Sequence, residues 1–168
     1  MPVHLGSMGE SIRTVIARNR GRMRRGDVFV LNDPYHGGTH LPDITVITPV
    51  YIGDDHGEAA EPTFYVGSRG HHADLGGTTP GSMPPFSTRI EEEGVQINNV
   101  KLVDRGTLRE QDMLDLLASG EFPSRNPAQN MADLKAQIAA NEKGVQELRK
   151  MVQQFGLPVV QAYMRHVQ

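Results

Sequence analysis

The chain has 168 residues, and its 17 basic against 20 acidic side chains leave a net charge of −3, which excludes the broad positive surface that nucleic acid or anionic lipid requires. It contains no cysteine, so disulfides and thiolate metal sites are ruled out and any metal must be held by nitrogen and oxygen. No apolar run approaches the roughly 18 residues of a membrane span and no secretory pattern opens the chain, so the expectation is a soluble, cytoplasmic protein of one domain or a large piece of one.

Ser7 and Glu10 have the spacing of a capping box, and Ile12, Val15 and Ile16 give the helix that follows an apolar stripe ending near Gly21. The basic stretch GRMRRGD leads into the first strand; Arg25-Gly26-Asp27 reads as the start of that strand, because a tripeptide matches an adhesion motif too easily by chance. Val28 to Leu31, Ile44 to Ile52, Thr63 to Gly67 and Val95 to Val103 are β-branched runs between turn-rich segments and read as strands. Near residue 105 the pattern turns helical. Thr107 and Glu110 form a second capping-box spacing ahead of a helix through Met113, Leu114 and Leu117 to about Gly120. Asn126 and Pro127 have N-cap and first-turn chemistry for one long helix that runs to Gly156, a natural C′ residue. Along it Met131, Leu134, Ile138, Asn141, Val145, Leu148, Val152 and Phe155 make a heptad seam with a polar slot at Asn141. The seam reads as an intramolecular packing face, with a subunit contact as the alternative. The expected fold is α+β: a twisted, mostly antiparallel sheet with site loops over residues 1–105, then a helical arm over 106–168.

Chemistry concentrates in two loops, NDPYHGGTHLPD at 32–43 and SRGHHADLGG at 68–77, which together hold four of the seven histidines. His40 and Asp43 are three apart, and Pro42 disfavours helix at Leu41, so the pair belongs to a turn that can aim both side chains at one point. One imidazole from the second loop would complete a two-histidine, one-carboxylate set for a divalent ion, with manganese, iron and zinc all open. His71 and His72 are neighbours and point to opposite sides of an extended segment, so at most one is a ligand; His71 is preferred. Asp74 repeats the H-x-x-D spacing and is either a ligand or the acceptor that fixes an imidazole tautomer. His36 is either substrate-facing or a solvated turn residue, and His56 and His166 are expected at the surface. Gly37-Gly38 and Gly76-Gly77 permit close backbone approach to a ligand but lack phosphate-loop spacing, so no nucleotide site is expected within the chain. The run Glu91 to Glu93 reads as a solvated face, with general acid or base work as the alternative.

The stretch GDVFVLNDPYHGGTHLPDITVITPV, followed by SRGHHADLGGTTPGSMPPFST and IEEEGV, resembles the hydantoinase B / 5-oxoprolinase family, which also includes acetone carboxylase subunits. PVHLGSMGESI and NPAQNMADLKAQIAANEKG extend the likeness over most of the chain. The resemblance implies ATP-dependent opening of a cyclic amide such as 5-oxoproline, a reaction of glutathione metabolism, or of a hydantoin. A hydantoinase A-type subunit or domain would bind ATP and phosphorylate the ring carbonyl, and an oligomer is expected. By likeness to the manganese site of acetone carboxylase relatives, the ligands map onto His40, Asp43 and His71, because the position of His72 varies more among similar sequences. On this reading Asp74 orients a ligand, Asn32 and Asp33 contact substrate, and Glu92 or Glu93 carries a proton. Similar chains are several hundred residues longer, so the sequence is expected to be an internal piece. A carboxylase-type subunit and a catalytically idle remnant are the alternatives.

Overall fold

A computed structural model describes residues 2–53 and 61–167; the acidic loop with His56 lies outside the described residues. In chain order the elements are α1 (Pro2–Asn19), β1 (Val28–Leu31), β2 (Asp43–Val50), β3 (Phe64–His71), β4 (Val100–Asp104), β5 (Thr107–Leu108), α2 (Glu110–Leu117), α3 (Pro127–Phe155) and α4 (Leu157–Val167), with short 3₁₀ turns at Pro34–His36 and Ile90–Glu92. The strands form one sheet in the order β3-β2-β1-β4-β5, every pairing antiparallel, which is the expected α+β architecture.

The run VFVL has no polar position because β1 is central and both its faces are covered. Phe29 and Leu31 turn one way, into a cluster with Ile47, Val15 of α1 and Met23. Val28 and Val30 turn the other way, onto Ile44, Val46, Leu102, and the helix residues Met113, Leu117, Met131 and Leu134. Each fully buried aliphatic side chain of this kind contributes roughly 1.5–3 kcal/mol. The α3 seam packs against the sheet inside the molecule: Met131, Leu134, Asn141, Val145 and Leu148 are buried, and Ile138 and Val152 pack on the same clusters. The polar slot has a definite use, since the Asn141 amide donates to Val46 O at 3.0 Å and to Thr48 Oγ1 at 3.2 Å. Phe155 departs from the seam and is 55% exposed, beside Tyr163 of α4 in an apolar groove.

Both proposed capping boxes give way to other uses of the same residues. Helix α1 is already formed at Pro2, and the Ser7 and Ser11 hydroxyls accept hydrogen bonds from Arg69 instead. Thr107 sits in β5, entered from β4 by a turn with Arg105 at φ 48° and Gly106 at φ 88°, the left-handed pair that a tight two-residue hairpin needs. The strand expected over Val95 to Val103 begins only at Val100, because Asn99 has φ 53° and the backbone of Val95 and Ile97 is bonded to the Asn32 side chain.

Candidate metal centre

The turn ahead of β2 closes when Asp43 N donates to His40 O at 2.9 Å, and the end of β3 is drawn to it by His72 N donating to Pro42 O at 2.8 Å. In the resulting register Asp43 pairs directly with His71, so their side chains leave the same face of the sheet. His71 Nδ1 lies 2.9 Å from Asp43 Oδ1 and His40 Nδ1 lies 3.4 Å from Asp43 Oδ2, while the two imidazoles stack at 5.9 Å between centroids. The carboxylate forms the floor, with its side chain 9% exposed, and His71 forms the rim at 57%. One ligand atom from each of the three lies within 4.8 Å of the others. Two imidazoles and a carboxylate are a donor set that suits a first-row divalent cation; ligand atoms about 2.1 Å from a tetrahedral ion stand roughly 3.4 Å apart, so the three side chains would draw in slightly to close on one.

His72 points to the opposite face, as alternation along a strand requires, and is 1% exposed. Its Nε2 is 3.2 Å from Gln137 Oε1 and its Nδ1 is 3.2 Å from Asn130 Nδ2, so one nitrogen donates and the other accepts. Burial pushes its pKa down against the raising effects of Gln137 and Asp133, which keeps the ring neutral. Gln137 also donates to Ile44 O, and Asn130 to Asp74 O, so α3 clamps the back of both site segments.

The other expected site residues are engaged elsewhere. Asn32 is fully buried and its side chain bonds only to backbone: its amide donates to Leu41 O at 2.8 Å and Val95 O at 2.9 Å, and its oxygen accepts from Ile97 N at 2.6 Å. It supports the His40 turn from beneath instead of facing a substrate. Asp33 accepts from Tyr35 N, from the Asn98 amide at 3.1 Å, and pairs with His36 Nδ1 at 2.6 Å. Glu92 accepts from the backbone of Thr88 and Arg89, and the Thr88 N–H holds its carboxyl below the usual range, a cap and not a ready proton donor. Glu93 accepts from the Ser87 hydroxyl. All four glycines of the two pairs are closely packed by protein: a Cβ at Gly37 would meet the Thr14 side chain, one at Gly38 would lie 2.0 Å from Asn32 O, and one at Gly76 2.2 Å from Phe122 O.

Asp74, expected to orient a ligand imidazole, instead ties its own loop to the start of α3. Its carboxylate accepts from the amides of Gly76, Gly81 and Arg125 and from the Arg125 guanidinium at 2.8 Å. Burial pushes its pKa up, but these four donors outweigh that and leave it below the usual value of 3.8. Because the folded pKa is depressed, the stabilisation is complete above the unfolded value and is lost as pH falls below it. Asp74→Asn is therefore expected to destabilise the protein at neutral pH, with the gap to wild type narrowing below about pH 4. Urea melts across pH 3–7 check this, and a gap independent of pH would contradict it.

Sequence reasoning passed over Arg69, Asn130 and Gln137. Arg69 lies two residues before His71, and the signal for it is the period-2 rule carried through to the true end of β3. Its Nε donates to Thr45 Oγ1 at 2.8 Å, and burial lowers its pKa while Asp43 raises it. Asn130 and Gln137 sit one heptad apart on α3, so two polar residues on the face beside the seam mark a helix that grips polar loops.

A sequence model of the family described as hydantoinase B/oxoprolinase matches residues 1–168. The chain is 46% identical over 179 aligned positions to 5-oxoprolinase 1 of Arabidopsis thaliana, covering 100% of this chain and 13% of that protein. The crystal structure of the ATP-dependent caprolactamase from Pseudomonas jessenii superposes with a TM-score of 0.80 at 31% identity, over 96% of this chain and 26% of that one. Nucleotide-free acetone carboxylase superposes with a TM-score of 0.77 at 24% identity, over 94% of this chain and 20% of that one, a likeness of fold alone. The chain thus spans about an eighth of the length of the curated relative it matches. With the family's sequence pattern present from end to end and the caprolactamase fold beneath it, the chain belongs to the hydantoinase B/oxoprolinase family.

Proposed function

We propose that this chain is the metal-bearing portion of an ATP-dependent cyclic-amide hydrolase of the 5-oxoprolinase type, with His40, Asp43 and His71 holding one divalent ion. The observation that supports it is the convergence of these three side chains at one point of the sheet, with Asp43 buried beneath and His71 open to solvent. When bound, manganese, iron or zinc there supplies a Lewis acid for a carbonyl oxygen or a water molecule. The chain's own residues supply position: Asp43 meets one imidazole with each oxygen, and Asn32 and His72 fix the two backbones that carry them. ATP is assigned to a hydantoinase A-type subunit or domain, because the glycine pairs here lack phosphate-loop spacing and are closely packed by the chain's own atoms. The setting is the cytoplasm and the working form an oligomer with that partner.

The test uses the full protein with its ATP-binding partner. One divalent ion per chain by elemental analysis is expected, together with ATP-dependent opening of 5-oxoproline, and His40→Ala should lose both. Stoichiometric metal in His40→Ala would remove the ligand assignment. Parallel assay of a ketone with bicarbonate separates this reading from a carboxylase, which the acetone carboxylase fold alone does not favour.

A further inference from the structure

Arg69 and His71 alternate with Ser68 and Gly70 along β3, so both leave the face that also carries Asp43 and Thr45 of β2. Two residues along a strand put Arg69 about 7 Å from His71. Its guanidinium is held by three hydroxyls: Nε to Thr45 at 2.8 Å, Nη1 to Ser7 at 2.5 Å, and Nη2 to Ser11 at 2.8 Å. These groups fix the plane of the fork without cancelling its charge, since each is neutral. They use three of the five N–H donors, and among the described residues the other two meet no acceptor. Asp43 acts on the guanidinium through space, yet its oxygens are turned to His40 and His71.

A tie between α1 and the sheet through hydroxyls needs no cation, and a half-buried positive charge whose direct partners are all neutral, with Asp43 acting only through space, is costly to keep. The expense makes sense where an anion arrives, and a planar fork is the geometry that takes a carboxylate. We propose that Arg69 reads a carboxylate on the cyclic-amide substrate while the ring carbonyl is presented to His40, Asp43 and His71. This inference rests on the hydrolase reading of the site. A small lactam with its carboxylate beside the ring nitrogen bridges the separation between Arg69 and the three ligands, whereas an unsubstituted lactam has nothing to offer the guanidinium. Arg69 therefore sets the preference between acid-bearing and neutral rings.

The experiment measures kcat/KM of the complete enzyme, with its ATP-binding partner, on 5-oxoproline and on 2-pyrrolidone, the same ring without the carboxylate. Wild type is expected to prefer the acid-bearing ring, and Arg69→Gln to reduce that preference at least about tenfold, the loss of one charge-assisted hydrogen bond. Because the readout is a ratio, a change in metal content or folded fraction cancels from it. Arg69→Lys keeps the charge without the fork, so it should retain part of the preference with a raised KM for 5-oxoproline. Undiminished preference in Arg69→Gln, or equal handling of both rings by wild type, overturns the role of Arg69 and leaves the hydrolase reading standing. Turnover of neither ring by wild type removes that reading and this inference together.

Discussion

Asp43→Asn is expected to strip the divalent ion from the complete enzyme, weakening its binding by more than about 100-fold. The magnitude follows from comparison: losing a partner that merely hydrogen-bonds a ligand costs about 10–100-fold, and losing an anionic ligand costs more. Asp43 is the one carboxylate of the trio and the one member that touches both imidazoles, at 2.9 and 3.4 Å. Without its charge, His40 and His71 offer an ion two neutral nitrogens and no compensation for its dehydration. Asparagine has nearly the same volume and still accepts a hydrogen bond through its oxygen, so the register between β2 and β3 should survive. The measurement is elemental analysis after dialysis, paired with a thermal melt to confirm the fold. Stoichiometric metal in a folded Asp43→Asn protein would show that the ion, where present, is held by other groups.

The short spacing of His40 and Asp43 is what makes half of this site legible in the amino-acid sequence, because H-x-x-D on a turn constrains itself, whereas the same spacing at His71 and Asp74 joins no common point. The meeting of the two loops is less legible. The sequence predicts a strand that stops at Gly67, since Gly67-Ser68-Arg69-Gly70 lacks the alternation of a strand, whereas β3 continues to His71. The glycines are there for packing: a Cβ on Gly67 would meet Met8 Sδ of α1 at 3.0 Å, and one on Gly70 the Gln137 amide of α3 at 3.2 Å. Glycine within a strand marks a close approach, here by a helix on each face, and sequence alone carries no trace of which partner approaches. Extending β3 by four residues is what places His71 opposite Asp43. The long helix, in contrast, is readable end to end, because Asn126 caps it by accepting from Gln129 N and Gly156 ends it at φ 82°, both local chemistry. Asn32 stands between these cases. The hydrolase reading that follows from the family resemblance suggests substrate contact for Asn32, whereas its three partners come from residues 41, 95 and 97, a long-range geometry that no local pattern records.

That geometry makes Asn32→Ala the substitution with the largest expected effect on stability, a loss of about 3–5 kcal/mol. Three buried backbone groups, Leu41 O, Val95 O and Ile97 N, would each lose a partner in a place where Asn32 itself is 0% exposed. An unsatisfied buried group costs about 1–3 kcal/mol, reduced here by whatever water enters the space the amide leaves. Stability of a domain this size is only about 5–15 kcal/mol, so the variant should lie near the edge of folding. Relaxation offers little relief, because Asn32 O sits 2.0 Å from where a Gly38 Cβ would be and Asn32 N is already bonded to Ile97 O at 2.9 Å. Asn32→Asp sharpens the test: one oxygen can still accept from Ile97 N, but the second would face the Leu41 and Val95 carbonyls with no proton to give. It should be destabilised at least as much at neutral pH and recover partly in acid, as the carboxyl takes up a proton and can donate again. Since Leu41 directly follows His40, metal affinity should fall in both variants along with stability, and return when the folded population is restored at lower temperature. Urea denaturation with metal titration measures both quantities, and a loss under about 1 kcal/mol in Asn32→Ala, less than one unsatisfied buried group costs, would mean that the floor of the site is held by something other than this amide.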